Sequence, residues 1–209
     1  MSASPRNPIP RLSDLPLVLE TPRLRLRPFA EADVEAIWPI VSRPEFPNQM
    51  SWSAHVDRED TLGFIRSQIA GIRDGSGVAW AIEHDGHAAG CVSLDSIRWQ
   101  LGALRVDRCE LGYWLAPPLW NKGIMSEAAG AIVRFGFETV GLHKITTRCI
   151  ADNHGSRRVI EKLGFRLIGR AEDDAWRDGA WASHLLYELT TSEWPDVHTT
   201  MRVNRPFPG

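Results

Sequence analysis

Three consecutive residues, Asn121-Lys122-Gly123, open an amphipathic stretch that reads "PLWNKGIMSEAAGAIVRFGFE" from Pro118. A helix N-terminus presents unpaired backbone N–H groups and the positive end of the helix dipole, and it favours an acidic side chain. This turn carries a lysine and no acid. Such a mouth suits an external anion such as a phosphate, with Gly123 letting the backbone come close. The alternative is that Gly123 merely permits the turn and Lys122 is a solvated side chain. The text is neither GxxxxGK[ST] nor GxGxxG, so the common nucleotide loops do not account for it. His143 and His154 flank helical segments, where exposure to solvent is commoner than catalysis. A Cys-His nucleophile would need Cys109 or Cys149 beside one of them, and nothing in the spacing requires that. Cys91, Cys109 and Cys149 lie far apart without a CxxC, so ordinary buried thiols are expected, with neither disulfide framework nor metal site.

The chain of 209 residues is long enough for one domain with a real core. Its 24 Lys+Arg against 26 Asp+Glu leave a net charge of -2, without the basic excess of a nucleic-acid binder. No segment has the apolar length of a membrane helix, and "MSASPRNPIPRLSD" lacks the apolar core of a signal peptide, which predicts a cytoplasmic protein. Residues 1–16 read as a flexible lead-in, 17–192 as the domain and 193–209 as a tail. "RLRLRPF" alternates like a half-buried strand. "AEADVEAIWPIVS" and residues 57–74 have helical spacing, the second closed by Gly75 and Gly77. "VAWAIEH" and "HAAGCVSLDSI" form a hairpin around Asp85-Gly86. A polar loop is expected around Ala103–Arg108, then the strand "CELGYWLAP", and an apolar helical stripe from Ile124 to Val140. "KITTRCI" is a strand, "NHGSRRVIEKLG" a short helix closed by Gly164, and "FRLIGRAE" with "WASHLLYEL" a hairpin around Asp178-Gly179.

"ELGYWLAPPLWNKGIMSEA" followed by "LHKITTRCIADNHGSRRVIEKLGF", after an opening "LETPRLRLRPF", resembles the GNAT superfamily of N-acetyltransferases, in particular its RimJ/RimL-like branch. The resemblance runs from about Leu19 to Leu189, and several blocks in the family's order are more specific than any one. It implies an α+β acyl-CoA N-acyltransferase fold, with a central mixed, mostly antiparallel sheet flanked by helices and splayed between two strands. It implies acetyl-CoA as donor and a primary amine as acceptor.

Carried over position by position, the resemblance puts the pyrophosphate on the backbone of Asn121, Lys122, Gly123, Ile124, Met125 and Ser126. Two positions depart from the superfamily pattern: Trp120 replaces a leading Gln or Arg, and Met125 stands where a small residue is usual and could crowd the pyrophosphate. Tyr113, Trp114 and Leu115 would pair with the pantetheine arm through their backbone, with core packing as the alternative. Asn153 matches a residue that bonds the donor near its thioester end, and is equally a favoured helix N-cap. Ser156 matches a serine near the thioester sulfur that serves the leaving thiolate. Ile160 stands where many other members have a tyrosine. Glu110 is the candidate base for the acceptor ammonium, with pairing to a cation such as Arg148 as its structural alternative.

The nine tryptophans fall mostly in regular elements, and Trp52 and Trp176, in loops, are those that could line an acceptor groove. In this fold the final hairpin flanks that groove, and "AEDDAWRDG" places Asp173 and Asp174 beside Trp176, a mouth suited to a cationic acceptor. The branch points to the α-amine of a protein or peptide N-terminus. The alternatives are a small-molecule amine and a noncatalytic acyl-CoA-binding domain. The oligomeric state is open, and a homodimer is compatible with the sequence.

Overall fold

The computed structural model describes residues 4–177 and 179–194, so most of the expected tail and Asp178 of the last turn lie outside the described residues. Asp85 and Gly86 take φ of 52° and 79°, the left-handed pair that closes a tight antiparallel turn between β3 (Val78–His84) and β4 (His87–Leu101). β4 continues into β5 (Leu104–Leu115), and β1 (Leu19–Glu20) and β2 (Arg25–Pro28) pair on the other side of β3. After β6 (Lys144–Ile150), the chain closes with β7 (Arg166–Arg177) and β8 (Ala180–Thr190). Together these make one eight-stranded sheet in the order β1-β2-β3-β4-β5-β6-β8-β7. Every neighbouring pair is antiparallel except β5–β6.

Strand alternation divides the core into two. Trp80, Ile82, Val92, Leu94, Leu111 and Leu115 point to the face covered by α3 (Ile124–Arg134) and α4 (His154–Lys162). Ala79, Ala81, Cys91 and Trp114, at the intervening positions, face α1 (Val34–Val41) and α2 (Arg58–Asp74) through Ile37, Val41 and Ile65. α2 starts where Asp57 accepts a bond from the Asp60 amide and stops at Gly75, φ 79°. α4 starts on Asn153, whose side chain accepts from the Ser156 amide.

Three expectations change. Ala103–Arg108 is mostly strand: Leu101 pairs with Leu104 and Gln100 with Arg105, so the turn shrinks to Gly102 and Ala103. Cross-strand bonding to β4 satisfies the backbone of this segment. "AEDDAWRDG" likewise lies mostly in β7, where the register jumps from Ala171↔His184 to Ala175↔Ala182 and Asp173 takes φ 49° in the bulge. The helix from Ile124 is α-helical only to Arg134 and continues as a π-helix over Phe135–Val140. Ahead of β1, Leu12 is buried in the core and the Trp80 indole donates to the Leu17 carbonyl.

Candidate active site

β5 and β6 run in register only as far as Glu110↔Thr146. Two hydroxyls of β6 close the floor of the gap: Thr146 Oγ1 donates to the Cys109 carbonyl at 3.1 Å and Thr147 Oγ1 to the Leu111 carbonyl at 2.9 Å. Beyond them the strands part, and a cavity of about 1140 Å³ opens through the sheet. It is bounded by the mouth of α3, the start of α4, the free edge of β5 and the segment joining α1 to α2.

At the α3 mouth, Asn121 and Gly123 take φ of 60° and 74°, and Gly123 caps the helix without any side chain to bond its first amides. Asn121, Gly123, Ile124, Met125 and Ser126 line the cavity, whereas Lys122 does not. The Lys122 carbonyl accepts from the Arg23 guanidinium at 2.8 Å, so this residue contributes to the turn through its backbone. The acid of the first helical turn, Glu127, bends back to Thr21 Oγ1 at 2.7 Å and to Arg23 Nε at 2.6 Å. Burial pushes the Glu127 carboxyl up, but the Thr21 and Arg23 bonds outweigh it and hold the pKa below the usual range. Met125 is 8% exposed and packs in the core, while also lining the cavity. Trp120 donates its indole N–H to the Leu115 carbonyl at 2.6 Å.

Along β5 the backbone groups alternate in direction. Those of Cys109, Leu111 and Leu115 point toward the gap, as their carbonyl partners show, and Ala116 donates to Ala89 on the β4 side. Tyr113 therefore presents its N–H and C=O to the edge where β6 has left, and Trp114 bonds toward β4, in register with Cys91. Of the three residues expected to offer backbone to a pantetheine arm, Tyr113 and Leu115 face the gap, the Leu115 carbonyl being engaged by the Trp120 indole, while Trp114 is turned to β4. Its hydroxyl lies 2.8 Å from Ser156 Oγ and donates to the Ser156 carbonyl at 3.2 Å. Burial pushes the Tyr113 phenol well above its ordinary range. Asn153 lines the cavity while capping α4, and Ile160 is fully buried. All three cysteines are buried, and burial pushes their thiols up, against a Cys nucleophile. His143 and His154 are exposed.

On the other face of the splay, Ser93, Asp95 and Glu110 line the cavity in adjacent register positions of β4 and β5. Ser93 Oγ donates to Asp95 Oδ2 at 2.6 Å. Burial, with the Glu110 charge adding to it, raises the Asp95 pKa against that bond. Glu110 Oε1 lies 3.4 Å from Arg148 Nε, the pairing weighed as its structural role. Arg148 also approaches Asp174 at 3.7 Å. His184 Nδ1 is 2.9 Å from the same Asp174 oxygen, at an angle that is not a hydrogen bond. Trp52 belongs to an aromatic wall: its ring centroid is 5.8 Å from Phe46, 5.5 Å from His55 and 6.4 Å from Trp114. Asp174 reaches the cavity through Arg148 and His184, which line it. Asp173 and Trp176 do not line it: Asp173 is exposed in the bulge and Trp176 stacks edge-on against Trp181.

Asp95, Arg23, Glu127 and His184 were not singled out from the sequence. For Asp95 the signal available was its place at alternate spacing from Ser93 and Cys91 in "CVSLDSI"; the others are brought in by contacts over long sequence separations. Among the described residues no group of His, Cys, Asp and Glu is placed to hold a metal ion, and no helix is long and apolar enough to cross a membrane.

A family model described as an acetyltransferase (GNAT) domain matches residues 23–166. The uncharacterized N-acetyltransferase YoaA of Bacillus subtilis is 28% identical over 172 residues, 82% of this chain and 96% of that protein. The [ribosomal protein uS5]-alanine N-acetyltransferase of Escherichia coli is 36% identical over 86 residues, 41% of this chain and 44% of the relative. Among solved structures, Mycobacterium smegmatis RimJ in complex with CoA-disulfide superimposes with a TM-score of 0.75 at 26% identity, covering 87% of this chain and 90% of that one.

Proposed function

Because the chain belongs to the GNAT acetyltransferase family and is an acetyl-CoA-dependent N-acetyltransferase, we propose that its splayed cavity is where acetyl-CoA meets the α-amine of a protein or peptide N-terminus. The observation that carries this reading is that one cavity joins an uncapped helix mouth on one side to a cluster of carboxylates behind an aromatic wall on the other. The Asn121–Ser126 turn suits a pyrophosphate because its left-handed residues and bare first amides leave donors for anionic oxygens. The Tyr113 backbone offers the free edge of β5 to an amide-bearing arm, as an edge strand accepts an added one. An acetyl group at the end of that arm lies between the Tyr113–Ser156 pair and the Asp95–Glu110 pair.

In the family reaction the neutral amine attacks the thioester carbonyl directly, which requires both substrates held together. The carboxylates of Asp95 and Glu110 line the groove and favour a cationic acceptor, with Asp174 behind Arg148 and His184, and one of the two lining carboxylates takes the extra proton. The Ser156 hydroxyl, backed by Tyr113, stands on the opposite side to hydrogen-bond the departing thiolate. An N-terminal α-amine, with a pKa of about 7.7–8.0, supplies far more free base near neutrality than a lysine at about 10.4. The uS5-alanine acetyltransferase relative supports such an acceptor.

Thiol release from acetyl-CoA, followed with three acceptor sets, tests the reading. Peptides with free N-termini are expected to react faster than N-blocked peptides carrying lysine and faster than polyamines or amino sugars. Preference for the blocked peptides, or activity confined to a small amine, rejects the N-terminal acceptor.

A further inference from the structure

Asp95 is the carboxylate that the strand geometry aims at the splay. After it β4 bulges: the register with β5 shifts between Asp95↔Glu110 and Arg98↔Arg108, and Ser96 takes φ 52°. The bulge is pinned from behind, since the Ile97 amide donates to the Ser76 carbonyl in the α2–β3 connection at 2.8 Å. In front, the side chain leans over β5 at Gly112, where a Cβ would stand 2.8 Å from Asp95 Oδ2 and 2.9 Å from Ser93 Oγ. Any side chain at position 112 would displace the carboxylate. Gly112 is next to Tyr113, whose backbone edges the gap, so the carboxylate is held over the last residue before the open edge. Glu110 is placed differently: its side chain is 42% exposed and engaged by Arg148 across the floor of the splay.

We propose that Asp95 is the group that accepts the acceptor's proton, and that Glu110 is a positioning residue that acts on it through charge. This rests on the acetyl-transfer reading of the same cavity. The step balances without any further reactant. The ammonium gives one proton to the Asp95 carboxylate, leaving a neutral amine and a carboxylic acid. The amine nitrogen then bonds to the thioester carbon, the C–S bond breaks, and the thiolate takes the second nitrogen proton, leaving amide and thiol. Asp95 returns its proton to solvent through the mouth of the cavity.

Burial and the Glu110 charge raise the Asp95 pKa toward the range where a carboxylate is an effective base, and the Ser93 bond restrains the rise. The other titratable groups near it are Cys91 on β4 and Cys109 on β5, both neutral thiols raised by burial. Arg148 reaches Glu110 from β6, and His184 and His55 line the same cavity from β8 and from the segment before α2.

The test is the pH profile of kcat/KM from pH 5 to 9 with a free-N-terminus peptide, beside acetyl-CoA binding by calorimetry. Asp95→Asn is expected to lower kcat about 100-fold, the lower end for a general base, to replace the acidic limb by one that follows the acceptor ammonium's own ionisation at about 7.7–8.0, and to leave acetyl-CoA affinity unchanged. Glu110→Gln should keep the limb and move it to lower pH, because a charge that raised the Asp95 pKa is gone. Ser93→Ala should move it to higher pH, because a bond that lowered the pKa is gone. Asp95→Asn with kcat within threefold of the parent, or Glu110→Gln moving the limb up to the acceptor's own ionisation, overturns the assignment. Should Asp95→Asn fail to fold, opposite shifts in the other two variants support the proposal, and equal or absent shifts overturn it. A parent enzyme that ignores peptides but acetylates a polyamine rejects the N-terminal acceptor alone, and the three profiles are then measured with the polyamine.

Discussion

The Tyr113 hydroxyl lies 2.8 Å from Ser156 Oγ, across the gap between β5 and the first turn of α4. The two residues are far apart in sequence and meet because alternation turns Tyr113 to the α4 face while the Asn153 cap fixes the first turn of α4. With its phenol pushed well up by burial, Tyr113 keeps its proton throughout the working pH range and serves as a hydrogen-bond donor.

Ser156→Ala is therefore expected to lower kcat by about 100-fold, with Tyr113→Phe lowering it less. The double variant should resemble Ser156→Ala alone, because two members of one hydrogen-bonded unit do not act additively. Acetyl-CoA affinity should hold in both single variants. Additive losses in single-turnover rates would show that Tyr113 and Ser156 act separately.

Gly123 and Lys122 should differ in calorimetric CoA affinity. Forcing a β-branched side chain into the left-handed φ of 74° at Gly123 costs about 1–2 kcal/mol and blocks approach to the first amides of α3, so Gly123→Val should weaken CoA roughly tenfold or more. Lys122→Ala leaves the carbonyl bonded to Arg23 in place and should cost less than about threefold, the size of one exposed charge. Equal losses would count against a backbone cradle.

Glu127 gives a pH signature in stability. Its carboxyl is held below the ordinary value of 4.5 by Thr21 and Arg23 despite burial, so the folded state binds its proton later than the unfolded state as pH falls. The contribution is present above pH 4.5 and is lost as pH drops through the folded value. Thermal melts of Glu127→Gln should thus lie below the parent at pH 7 and converge with it in strong acid. A constant gap at every pH would mean that the loss is steric.

Asp173 and Asp174 are neighbours with different prospects. Asp174→Asn removes the charge beside Arg148 and His184 and should raise the acceptor KM about threefold, more at low salt than at high. Asp173→Asn, in the exposed bulge, should leave KM unchanged. Matching effects from the two, measured with one basic peptide at two ionic strengths, would instead indicate a diffuse field over the hairpin.

Local signals in the sequence were sufficient for much of the fold. "VAWAIEH", Asp85-Gly86 and "KITTRCI" carry their periodicity and turn chemistry within a few residues, and they match β3, its turn and β6. Asn121-Lys122-Gly123 likewise marks a helix mouth by residue type alone, and the order of the blocks around it was enough to suggest the family. The extended β4–β5 hairpin and the length of β7 were not legible, because their polar residues are held by a partner strand rather than by any pattern of their own. What only the tertiary structure decided is which side chains meet. The parting of β5 from β6 after Glu110, the bulge that aims Asp95 over Gly112, and the approach of Tyr113 to Ser156 all depend on register between strands or on packing across a gap. Such relationships join residues far apart along the chain, and no window of sequence contains both partners.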